Sequence, residues 1–354
     1  MNIKSLLLGS AAALAAVSGA QAADAIVAAE PEPMEYVRVC DAFGTGYFYI
    51  PGTETCLKIS GYVRAQLDWN SQDRTNGSDD FDWNARTRAL VRFEAKNDTD
   101  LGTLGSYIAV RSWAESDGVG VSGGNALEVD EAYITLGGFK VGYGYNYWDA
   151  GLSGETDDLG SNRVNMIGYE YAADAFTIGV FADELTKSYR GSAVNQYMDT
   201  TASNVNDNVG IEAQVSAAFG PATVAVLGGY DIAASNGAVR AILTADLGPG
   251  TLGVAGVYSS GVNAYYDLAE WTLAGEYAIK VTDKLKLTPG AQYWWNTGVN
   301  GSGDFAGDAE AWRAGLTVDY AITTGLNGKV SVQYTDADNA SDVWSGYFRL
   351  QRSF

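Results

Sequence analysis

The chain contains no histidine, and that one absence removes several classes of function. A Ser-His-Asp or Cys-His nucleophile has no base, and His-ligated zinc or His-axial haem has no ligand. Cysteine is limited to two residues and proline to six. Positive charge is also scarce: 22 Lys and Arg stand against 43 Asp and Glu, a formal net charge of −21. The basic face that a nucleic-acid partner requires is therefore not expected. Past the first two dozen residues there is no run of ~18 apolar residues, so no helix of the mature chain is expected to span a bilayer. The sequence calls for no enzyme chemistry, no cofactor and no resident metal.

What it does contain is 354 residues that are 47% hydrophobic, with 43 glycines, 22 tyrosines and nine tryptophans. Residues 1–22 open with Lys4, continue through an apolar stretch from Leu6 to Val17 and end on Ala20-Gln21-Ala22. This is the form of a secretory signal peptide cleaved after Ala22. A membrane anchor would need ~20 apolar residues, and this core is shorter. Residues 23–56 form an N-terminal linker, with Glu30-Pro31-Glu32-Pro33 in it, followed by a cysteine loop closed by Cys40 and Cys56. In an oxidising compartment that pair predicts a disulfide, worth about 3 kcal/mol for a loop of this length in the chain-entropy picture.

From Leu57 to Phe354 the sequence alternates. Leu57, Ile59, Val63, Ala65, Leu67 and Trp69 oppose Lys58, Ser60, Tyr62, Arg64, Gln66 and Asp68. Phe81, Trp83, Ala85, Ala89, Val91 and Phe93 oppose Asp82, Asn84, Arg86, Arg88, Arg92 and Glu94, with only Leu90 out of pattern. Successive side chains point to opposite faces of a strand, so each such run is a strand with one apolar face. The same pattern returns at 208–219, 269–279 and 310–320, and no stretch carries a helical stripe. Sixteen strands can be counted over residues 57–354. The connections after odd-numbered strands are mostly long and acidic, whereas those after even-numbered strands are short, such as Gly137-Gly138 and Gly248-Pro249. An even strand number with long loops on one rim and tight turns on the other describes an all-β, 16-stranded antiparallel transmembrane β-barrel. Closure pairs every backbone group, as hydrocarbon demands. A secreted β-sandwich or adhesin is the competing architecture, but its strands would be shorter. Trp69, Phe81, Trp83, Tyr145, Tyr147, Trp148, Trp294, Trp295 and Phe354 sit near segment ends, where interfacial girdles belong. Pro289 conflicts with a central strand and implies a bulge or a later strand start.

The segment Tyr36-Val37-Arg38-Val39-Cys40 through Thr55-Cys56-Leu57, the run Ala132-Tyr133-Ile134-Thr135-Leu136-Gly137-Gly138-Phe139-Lys140-Val141-Gly142 and the terminus Arg349-Leu350-Gln351-Arg352-Ser353-Phe354 resemble alphaproteobacterial outer-membrane porins. The resemblance implies a homotrimer of barrels in the Gram-negative outer membrane, passing small hydrophilic solutes and ions by passive diffusion. It also implies a loop 3, after the fifth strand, that folds inward and narrows the channel, and a barrel-assembly signal ending in Phe354. Arg352 departs from that signal, since an apolar residue commonly stands there.

Sixteen strands enclose an aqueous channel. The polar faces then put Arg64, Arg86, Arg88, Arg92 and Arg111 in the lumen, and loop 3 contributes Asp149, Glu155, Asp157 and Asp158. A basic wall facing an acidic loop sets up a transverse field that favours polar solutes. The overall acidity predicts mild cation preference, which the arginines oppose. A substrate-specific channel would instead show an aromatic track in the lumen, but the aromatics fall mainly on the apolar face, with Tyr62 and Tyr107 as exceptions. The segment Asp336 to Asp342 has oxygen ligands at calcium-like spacing but lacks the glycine and glutamate of an EF-hand loop. It reads as a solvated external loop, able to meet lipopolysaccharide through divalent ions.

Overall fold

The computed structural model describes residues 38–72, 82–115, 127–185, 208–300, 302–338 and 340–354. The signal segment, most of the linker and Phe81 lie outside the described residues. Residues Val39–Phe354 form one compact unit.

A two-residue strand β1 (Phe48–Tyr49) precedes sixteen longer ones. These are β2 (Cys56–Asn70), β3 (Asp82–Thr99), β4 (Gly102–Glu115), β5 (Glu128–Leu136), β6 (Phe139–Tyr145), β7 (Arg163–Ala172), β8 (Phe176–Leu185) and β9 (Asn208–Phe219). The second half comprises β10 (Ala222–Asp231), β11 (Asn236–Leu247), β12 (Gly250–Ser259), β13 (Trp271–Lys280), β14 (Leu285–Trp295), β15 (Glu310–Thr323), β16 (Leu326–Ala337) and β17 (Val343–Ser353). Each pairs antiparallel with its sequence neighbour, and β17 pairs with β2 to close the barrel. Backbone bonds between Phe354 and Gly61 in both directions extend that seam to the last residue.

The alternation sets the two faces. On β2, Ile59, Val63 and Leu67 are exposed on the outside, while Tyr62 and Gln66 are buried inside. Apolar side chains left bare on the outer wall suit a lipid surface rather than water. Pro289 is accommodated in neither of the two ways its position suggested. β14 begins at Leu285 and carries no register shift. Instead, pairing with β13 lapses between Glu276↔Gly290 and Ile279↔Leu287 and resumes in the same register, while pairing with β15 runs unbroken through Pro289↔Leu316. The missing N–H thus falls in a local gap in one ladder, which is cheaper than displacing a strand.

The girdle reading is corrected at four of its residues. Trp294 has inward parity on β14 and is fully buried, and Trp148 is buried in the loop that follows β6. Tyr147 lies in that same loop, and Tyr145 turns inward to bond Asp130 and Arg111. Trp83, Trp295 and Phe354 do face outward.

Cys40 and Cys56 form a disulfide that pins residues 39–55 at the short-turn rim. Tyr47 is buried there, donates to Glu94 at 2.8 Å and lies beneath the Lys58 and Lys96 ammonium groups. Replacing both cysteines by serine should cost this loop about 3 kcal/mol. Limited proteolysis should then cut within 41–55, while the sixteen-strand circular-dichroism signal persists. Unchanged protease resistance would show that the Tyr47 contacts suffice.

Candidate channel constriction

Loop 3 connects β6 to β7 through residues 146–162 and begins with a single 3-10 turn, Tyr147–Asp149, capped by the Asn146 side chain. It does not project outward. Its root is held by Arg240 of β11, which is 1% exposed and donates to the carbonyls of Tyr147 (2.6 Å), Trp148 (2.8 Å) and Leu159 (3.2 Å). One planar guanidinium thereby ties both ends of the loop to the wall. Its tip is held by Glu276 of β13, whose carboxylate accepts from the Ser153 N–H and hydroxyl and from the Gly154 N–H at 2.6–2.7 Å. A Cβ at Gly154 would stand 2.5 Å from the Glu276 carboxylate, so a larger residue there displaces the group that holds the tip.

From there the loop runs along β14 to β16. Gln292 both accepts from the Asp158 N–H and donates to its carbonyl, Thr317 accepts from the Glu155 N–H, and Gln333 donates to the Glu155 carbonyl. Lys329 pairs with the Glu155 carboxylate at 2.6 Å, with Arg349 3.9 Å away. Beneath the root lies an apolar core of Trp148, Leu159, Tyr265, Tyr266 and Trp294, to which the 260–270 connection contributes its two tyrosines. These are the bonds of a fixed partition, since buried polar groups left unmade are expensive.

The four acids singled out from the sequence sit in different settings. Asp149 is exposed and accepts from the Ser161 hydroxyl at 2.6 Å. Burial works against ionised Glu155, but the hydrogen bond and charge of Lys329 hold its pKa below the usual carboxylate range. Asp157 accepts from the Leu152 N–H, and burial, aided by the nearby charges of Glu276 and Asp158, pushes its pKa up to about 6. Asp158 is anchored through its backbone to Gln292.

On the opposite part of the wall, Arg64, Arg86, Arg88, Arg92 and Arg111 all occupy the inner face of β2 to β4. They are not bare. Arg86 pairs with Asp68 at 2.7 Å and stacks on Trp113, and Arg64, Arg88 and Arg92 lie within 6 Å of the Tyr62 ring. Guanidinium–aromatic stacking of this kind holds long side chains against the wall. The hub of the group is Asp130, 4% exposed, which receives Arg88, Arg111 and Arg163 together with the Tyr145 hydroxyl. Sequence reasoning missed Asp130, Arg163, Arg240 and Glu276. For Asp130 the reason is a β-bulge: Ala109↔Glu131 is followed by Val110↔Val129, so Asp130 is the extra residue and is aimed inward beside Glu131.

The matching profile is that of the porin subfamily, over residues 24–349. The chain belongs to the porin family. It is 49% identical to outer membrane protein IIIA of Rhizobium leguminosarum bv. viciae, over 98% of this chain and 93% of that protein. It is also 49% identical to porin Omp2a of Brucella ovis, over 48% of this chain and 56% of that one. In fold it is similar to the outer membrane channel DcaP of Acinetobacter baumannii, with a TM-score of 0.62 at 14% identity, over 86% of this chain and 99% of that chain. This porin is an outer-membrane channel of a Gram-negative cell.

Proposed function

We propose that this porin passes small hydrophilic solutes and ions passively, through the gap between loop 3 and the arginine-bearing wall of β2 to β4. The observation that carries the reading is the one-sided docking of loop 3. Between Leu152 and Leu159 its polar contacts with the wall go to β11 and to β13 through β17. That arrangement leaves the Arg64, Arg86, Arg88, Arg92 and Arg111 face as the other bank of an aqueous passage, with Glu155, Asp157 and Asp158 on the loop. The assembly is a homotrimer in this reading, residues 1–22 are a cleaved export signal, and the channel uses no cofactor and catalyses no reaction. Phe354, hydrogen-bonded across the closing seam, serves as the end of the assembly signal. The long acidic loops face the exterior and lipopolysaccharide, and the short turns face the periplasm.

Planar-bilayer recording of the purified protein tests this. Stepwise, ohmic openings that close in thirds at high voltage are expected; silent bilayers with correctly folded protein would overturn it.

The loop acids also give a pH dependence. Above about pH 7 Asp157 is ionised; between pH 7 and pH 5 it takes up a proton, while Glu155 stays charged against Lys329. Reversal potentials in a salt gradient should therefore move toward anions on acidification across that window. The shift should vanish in Asp157→Asn, and a shift of equal size in that variant would assign it to other groups.

A further inference from the structure

Beneath the tip of loop 3, toward the short-turn rim, the inner wall carries a niche of about 430 Å³. Six cations line it, Arg64, Lys280, Lys284, Lys286, Lys329 and Arg349, against two carboxylates, Asp283 and Asp319. In a chain of formal charge −21 this is an inverted local balance. The cross-strand register explains how it arises. Lys280↔Lys286, Lys286↔Asp319, Asp319↔Lys329 and Lys329↔Arg349 are successive pairs across β13 to β17, so the charges form one row around the wall.

Two of those pairs set like charges directly opposite each other, and Arg64↔Arg88 on β2 and β3 adds a third. Like charges at such positions destabilise a ladder. The carboxylates present cover only part of the row. Asp319 is shared between Lys286 (3.3 Å) and Lys329 (3.4 Å), Glu155 of loop 3 pairs with Lys329 at 2.6 Å and lies 3.9 Å from Arg349, and the Lys280 ammonium has no ion-pair or hydrogen-bond partner among the described residues. Adjacent strands lie ~4.8 Å apart, so Lys286 and Lys329, two strands apart, are ~10 Å apart at the wall. Flexible lysine stems converge from that spacing on an anion bearing two charged groups better than on a monovalent ion.

We propose that this niche is a binding site for small multivalent oxyanions of the diphosphate type, placed on the periplasmic side of loop 3. Lys280 and Lys286 hold one end and Lys329 and Arg349 the other, with the Thr282 hydroxyl and the Gln351 amide among its lining groups. Bound there, the anion relieves the like-charge pairs and obstructs the lumen below the constriction. An anion entering from the periplasmic side meets the niche before it meets loop 3. The proposal rests on the reading of the barrel as an open channel.

The test is bilayer recording in potassium chloride with pyrophosphate added to one side at a time. Reversible block is expected, at lower concentration from the short-turn side. The double variant Lys280→Gln/Lys286→Gln should raise the half-blocking concentration at least tenfold. Lys58→Gln/Lys96→Gln removes two charges from the same rim at the N-terminal loop and should leave the block in place. Openings without pyrophosphate block, or equal weakening in both double variants, would overturn the site while leaving the channel intact. An absence of openings in the unmodified protein would overturn the channel reading itself.

Discussion

Single-channel conductance of the Arg240→Ala variant is expected to rise above that of the unmodified porin, with noisier open levels. Arg240 is bonded to both the descending and the returning arm of loop 3, through Tyr147 and Trp148 on one side and Leu159 on the other. Its guanidinium also lies over the Trp148 ring at 5.0 Å and near the buried carboxylate of Glu212. Alanine leaves three loop carbonyls without their donor, and each buried acceptor left unsatisfied costs ~1–3 kcal/mol. Glu276 still holds the tip, so the loop pivots on Ser153 and Gly154 instead of leaving the lumen. Amide exchange at residues 147–159 should accelerate in step with the conductance change. Arg240→Lys should fall between the two, because a compact ammonium keeps the charge but lacks the planar fork that reaches both arms at once. Conductance and exchange both unchanged would mean that the apolar core of Trp148, Leu159 and Tyr266 holds the loop unaided.

Arg240 also shows where the sequence was readable and where it was not. It stands at an inward position of an otherwise small and apolar run, Ala238-Val239-Arg240-Ala241-Ile242, and period-2 counting places it in the lumen. Nothing local says that it would be capped by a loop ninety residues earlier, since that contact is tertiary. The same counting puts Arg64, Arg86, Arg88, Arg92 and Arg111 on the inner face. Parity also turns Trp294 inward, although its place near a strand end suggests a girdle residue. Aromatic clustering is ambiguous in a barrel whose loop needs its own core. Pro289 misled for a related reason: a ladder can lose bonds on one side alone, which no single-strand pattern reveals. Where alternation is broken by a bulge, as at Asp130, parity gives the wrong face for one residue, and bulges commonly re-aim a side chain at a functional site.

The largest effect on ion preference should come from that bulged residue. In Asp130→Ala the reversal potential in a salt gradient is expected to move strongly toward anions, because Arg88, Arg111 and Arg163 lose their common carboxylate. Arg111 keeps Glu128, but neither Arg88 nor Arg163 has a second ion pair among the described residues. Three guanidiniums left within reach of one another repel, at a cost of ~3 kcal/mol, the low end for breaking a buried pair because lumen water screens part of it. Relief comes as the side chains swing into the channel, which places their charge where permeating ions pass. The Tyr62 and Trp113 rings limit that swing for Arg88, and the Tyr143 and Tyr145 rings do the same for Arg163. Asp130→Asn retains the shape and the Tyr145 contact while removing the charge, and should reproduce most of the selectivity change with a smaller loss of stability. If Asp130→Asn left the reversal potential unchanged while Asp130→Ala altered it, the effect would be steric collapse of the bulge and not the field of the arginines.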